Sequence, residues 1–159
     1  MAILTGRTQI FSGDTTNVDT VLAHKLGTRA YDVDEREYIY LTGASSTILG
    51  SWVTYDEAFL TTLLAANAVG PVAVAMAIIN TTAKYGWYCI FGECEADIVA
   101  NCADNAFLGY ETSAGKAGDG CATGDAMMGA VSRELTTTAA VVTVQLSYPS
   151  VNDRMGSGS

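Results

Sequence analysis

Residues able to do chemistry are few in this chain, and they stand far apart. The one histidine, His24, lies in a polar N-terminal stretch. A nucleophilic triad needs a base and a sharply turned serine, and no GxSxG run is present to supply the second. Four cysteines, Cys89, Cys94, Cys102 and Cys121, are separated by four, seven and eighteen residues. Zinc sites favour CxxC pairs with histidine close by, so these cysteines read as small apolar residues. The run "SAGKAGDG" resembles a phosphate loop only superficially. It has no glycine five residues before Gly115 and no Ser or Thr after Lys116. Asp119 and Asp125 flank a glycine-rich turn without the spacing of a calcium loop. Glu93 and Glu95 alternate beside Asp97 and read as the solvated face of a strand. From these residues we expect no catalytic site, no metal and no cofactor, hence a protein that is not an enzyme.

The elements that must hold these side chains are mostly strands. "EYIYLTG", "SWVTYDE", "KYGWYCI", "ECEADIVANC" and "AVVTVQLSYP" are β-rich runs bounded by turn residues. "AFLTTLLAANAVG" is ambiguous, and its paired threonines favour β. Eight or more short strands at intervals of about eight to twelve residues point to an all-β sandwich or barrel. The expected body spans residues 38–150. Residues 1–37 form an extended N-terminal arm, and 151–159 a small polar tail. Within the arm, Val18, Val21, Leu22 and Leu26 are spaced either for a short helix or for an extended segment. In the closing strand, Pro149 is expected to end the pairing.

Two stretches carry sharper expectations. In "PVAVAMAII" the residues alternate, with Val72, Val74, Met76 and Ile78 on one face and Ala73, Ala75 and Ala77 on the other. A strand is favoured over a buried helix by its length and β-branching. The larger side chains would fill the body's core, and the methyl face would let something approach closely, either a second internal sheet or another copy. In "KYGWYCIFGECEADIV", Phe91-Gly92 reads as a two-residue hairpin turn. That register sets Cys89 opposite Cys94, close enough for a possible disulfide, although a reducing cytoplasm would first keep the thiols free.

Bulk properties exclude several partners. The formal charge is −9 and only eight residues are Lys or Arg, scattered singly, so a nucleic-acid backbone is not an expected partner. Apolar residues make up 49% of the chain, yet no run reaches the ~18 residues of a membrane helix. "MAILTGRTQI" lacks the cationic start and apolar centre of a secretory signal, so synthesis in a cytoplasm is expected. Trp52, Tyr55, Trp87, Tyr88 and Tyr148 would, if exposed, suit a carbohydrate-binding surface.

From about residue 20 to 150 the chain resembles the small head decoration, or cement, proteins of tailed bacteriophages. The resemblance rests on the order and texture of "HKLGTRAYDVDEREYIYLTGA", "GSWVTYDE", "ANAVGPVAVAMA", "YGWYCIFGECEADIVANCADNA" and "VQLSYP". It implies a non-catalytic virion protein, commonly a homotrimer, that binds the major capsid protein on the outside of the head. By that resemblance Ala73, Ala75 and Ala77 would line a three-fold axis. Ile3, Leu4, Ile10, Phe11, Val18, Val21 and Leu22 would be the apolar contacts of a capsid-binding arm. The four cysteines and the strong acidity depart from that family's pattern. A carbohydrate-binding module or head-surface adhesin is the alternative.

Overall fold

The computed structural model describes residues 8–9 and 12–152. Nearly all of the regular structure is β. The strands are β1 (Thr8–Gln9), β2 (Val18–Asp19), β3 (Arg29–Tyr31), β4 (Glu37–Thr42), β5 (Trp52–Tyr55) and β6 (Thr61–Leu63), followed by β7 (Val69–Ala75), β8 (Tyr85–Ile98), β9 (Phe107–Tyr110), β10 (Ala117–Gly118), β11 (Ala126–Ser132) and β12 (Ala140–Asn152). One 3-10 turn spans Ser12–Thr16. The helix considered around Val18 to Leu26 does not form there; β2 and a series of bends take its place.

The strands are organised around β8. Along its second half, pairing passes from β8 through β10, β9, β11 and β12 and returns to β8, closing one ring of strands. Along its first half, β8 is flanked by β4 and β7, and β7 continues through β5 to β6. There β6 meets β4 again. Thr61 donates its backbone N–H to Thr42 Oγ1 at 3.2 Å and its hydroxyl to the Thr42 carbonyl at 2.9 Å. These bonds close a second ring, which shares β8 with the first. Closure removes open sheet edges, which would otherwise present unpaired backbone groups.

Each face of β4, β5, β7 and β8 serves a different core. Tyr38, Tyr40, Trp52, Val72, Val74, Trp87 and Cys89 join the large core that continues into the first ring. Their neighbours Ile39, Leu41, Val53, Ala73, Ala75, Tyr88 and Ile90 fill the second ring. Alternation along an extended chain produces this division directly.

The division explains the alanines, and it corrects their expected role. Ala73, Ala75 and Ala77 are buried inside the single chain, so they cannot line an axis between copies. They lie in the chain's own second core, where Ala75 is in register with Tyr88 on the neighbouring strand. A small ring filled by Tyr88, Ile39 and Leu41 has room for methyl groups on β7 and little more. The strand also ends at Ala75. Ile78 is exposed, while Ile79 joins the alanines in the second core.

The hairpin is corrected as well. Tyr85 to Ile98 form one continuous strand, and Phe91-Gly92 lies within it, just after a bulge at Ile90, rather than at a turn. Opposite β4, Phe91 pairs with Glu37 and Cys89 with Tyr38, which leaves Ile90 as an extra residue. Gly92 adopts φ +93, a backbone state that glycine enters without penalty. The consequence is a phase reversal. Before the bulge the odd residues Trp87 and Cys89 face the large core; after it the even residues Cys94, Ala96 and Ile98 do. Without the reversal, Glu93, Glu95 and Asp97 would point into apolar packing, at a cost of several kcal/mol (order of magnitude) per unpaired charge.

The described segments near both termini are also more integrated than expected. In the region assigned to an arm, β2 pairs with Tyr85–Gly86 of β8, β3 pairs with β4, and Ala30 and Asp32 are buried. Glu37 already belongs to β4. Pro149 does not end β12, which turns a corner at Tyr148-Pro149. There it leaves β8 and pairs Ser150, Val151 and Asn152 with β7. Val151 is buried, so the body extends past residue 150.

Candidate binding surfaces

Of the residues expected to contact a capsid, Ile3, Leu4, Ile10 and Phe11 lie outside the described residues. Val18, Val21 and Leu22 are placed, and all three are exposed, Val21 at 78% and Leu22 at 50%. They sit on a loop fastened to the body by Tyr40. The Tyr40 hydroxyl donates to Asp19 Oδ2 at 2.6 Å and accepts the Ala23 backbone N–H at 3.3 Å. His24 packs edge-on against Tyr40 and beside Trp87, with centroids 5.1 and 5.2 Å away. Burial and the hydrogen bond to Asp19 push the Tyr40 phenol up to about 12. The loop thus holds two aliphatic side chains outward while its base is locked.

The structure also sorts the aromatic candidates. Trp52, Trp87 and Tyr88 are core residues; the Trp52 indole donates to the Asp97 carbonyl at 3.0 Å. Tyr55 and Tyr148 remain at the surface, and both line one groove of about 460 Å³. Its lining includes Val69 and Pro71 of β7, with Arg29 of β3 beside Tyr55. A larger groove adjoins it through these same residues and reaches Asp56, Glu57 and Leu60. Burial raises the Tyr55 phenol, and the Arg29 charge offsets part of that rise.

Contacts with Glu37 and Phe91 hold Tyr148. Its hydroxyl donates to Glu37 Oε2 at 2.5 Å, and its ring lies 5.2 Å from Phe91 at a 34° tilt. Glu37 is buried and also has Arg29 within 3.7 Å. Nothing in the sequence signals this cluster. Glu37 reads as one acid among several in "DVDERE", and Tyr148 as the end of a strand.

The remaining candidates have structural roles. Asp119 and Asp125 accept backbone N–H groups of Ala103 and Asn67 and so hold turns. Glu93 and Glu95 are exposed as expected, whereas Asp97 is buried and has Lys116 Nζ at 3.4 Å. All four cysteines are free thiols. Cys94 is pushed well above its usual range by a hydrogen bond with the Cys89 thiol and by burial. Among the described residues, no group of three or more His, Cys, Asp or Glu side chains is placed to hold a metal ion. No helix among them is long and apolar enough to cross a membrane.

No known protein family, curated protein or solved structure matches this chain.

Proposed function

We propose that this chain is a decoration protein of a tailed-phage head, binding the outer surface of the shell and stabilising it without catalysis. The observation that carries this reading is the loop from Val18 to His24. Exposed aliphatic side chains are ordinary when scattered, but here Val21 and Leu22 are adjacent and their loop is anchored by Tyr40, Asp19 and His24. Such an element is pre-organised, so less ordering entropy opposes docking on a partner. The acidic surface suits a protein that stays dispersed until it meets its shell.

The partner in this reading is the major capsid protein, and the oligomer is a homotrimer whose contacts lie outside the alanine face. Purified heads should contain the chain at a fixed ratio to the major capsid protein. A Val21→Asp, Leu22→Asp double variant should fold normally, yet fail to co-sediment with heads. Undiminished co-sedimentation would remove the loop from the interface. Absence of the wild-type chain from purified heads would overturn the reading itself.

A further inference from the structure

We propose that the groove between Tyr55 and Tyr148 is a binding site for an extended saccharide, an activity separate from shell binding. The starting observation is backbone strain. Tyr148 has φ +46, in the left-handed region that bulky residues avoid, and it precedes proline, which restricts its backbone further. A corner of this kind normally selects glycine or asparagine. Strain of this sort costs on the order of 1–3 kcal/mol and concentrates at ligand clamps and active sites. The Glu37 bond accounts for its hydroxyl, while a side chain still 47% exposed at the groove leaves room for a further reason.

The surroundings supply one. The Tyr148 ring is oriented by the Glu37 hydrogen bond and by Phe91, so it stands as a fixed platform at the groove wall. Tyr55 stands at the same groove, and Val69 and Pro71 add apolar surface to its lining. Arg29 contributes hydrogen-bond donors between the aromatic walls and the buried Glu37. Asp56, on the adjoining stretch, adds a carboxylate. A sugar ring has an apolar C–H face and a rim of hydroxyls, and it is matched by this pairing of aromatic rings with a few polar groups. The two grooves share Arg29, Tyr55, Val69 and Pro71, which leaves room for more than one sugar unit. The volume of about 460 Å³ falls within the range of ligand clefts, roughly 300–1,000 Å³.

The test is binding of the full-length protein to an array of neutral and uronate-bearing oligosaccharides, followed by calorimetry on the best ligand. Wild type should bind at least one class. Tyr55→Ala and Tyr148→Ala should each weaken binding tenfold or more, with folding checked by circular dichroism. Tyr148→Phe keeps the ring and should lose much less than Tyr148→Ala. If Tyr148→Ala fails to fold, Tyr55→Ala decides the matter alone. No binding to either saccharide class would overturn the proposal, as would affinity unchanged in Tyr55→Ala. Neither result bears on co-sedimentation with heads, which depends on the Val21–Leu22 loop.

Discussion

Tyr148 and Glu37, separated by 111 residues in sequence, share a 2.5 Å hydrogen bond from phenol to carboxylate. The bond ties the corner of β12 to the start of β4 and buries the carboxylate beside Arg29. Hydrogen bonds to charged groups contribute about 1.5–3 kcal/mol. Tyr148→Phe should therefore lower unfolding free energy by about that amount in urea titration. Wild-type stability in this variant would show that the bond from the phenol adds nothing net.

Ala75 faces Tyr88 inside the second ring, so enlarging it strains the monomer. Ala75→Leu should cost about 1–3 kcal/mol, or more if the ring cannot relax. Melting temperature should fall, while native mass spectrometry shows the same oligomeric state as wild type. A folded protein of lower mass would return the alanines to an interface between copies.

Gly92 directly follows the bulge that reverses the phase of β8. A Cβ built there would lie 2.9 Å from Arg36 Cγ, with φ at +93. Left-handed backbone alone costs non-glycine residues about 1–2 kcal/mol. Gly92→Ala should destabilise by at least that amount, measured by thermal unfolding. A neutral result would mean that the bulge moves to another residue.

Asp32 should govern part of the acid limb of stability. Burial by itself would raise its pKa, but hydrogen bonds from Tyr38 and the Arg36 backbone, with the Arg36 charge, bring it below the usual carboxylate value. A carboxylate lowered on folding contributes stability that is complete above the unfolded pKa, near 3.8, and is lost as pH falls through the folded one. Asp32→Asn should be less stable at neutral pH and show a flatter decline below pH 4. Parallel acid curves for the two proteins would exclude the role.

Tyr40 should act at the alkaline end, with the opposite sign. Its phenol is raised from 10.0 to about 12, so its contribution is complete below pH 10 and is lost between 10 and 12. Ionisation also removes the proton donated to Asp19, which releases the Val18–His24 loop. Tyr40→Phe should remove this alkaline slope and speed hydrogen exchange at the Ala23 amide. Unchanged exchange there would show that the loop is held by His24 packing instead.

The sequence by itself determined the class of fold and the two faces of its strands. Val72 and Val74 against Ala73 and Ala75 is a period-two pattern, and any extended chain puts such residues on opposite sides. The same pattern could not say what the methyl face meets. A second copy and a second ring both exclude large side chains, so only long-range closure of β6 onto β4, through Thr61 and Thr42, decides between them. Phe91-Gly92 shows the same limit. A glycine with positive φ serves a hairpin turn and a bulge equally well, because its local chemistry is identical in both. Pairing with β4 on one side and β12 on the other carries the strand through it, with the bulge at Ile90, and those partners lie about fifty residues away in either direction. The groove was least legible of all. Arg29, Tyr55 and Tyr148 line it from three separate strands, and the corner of β12 at Tyr148-Pro149 brings the last of them there.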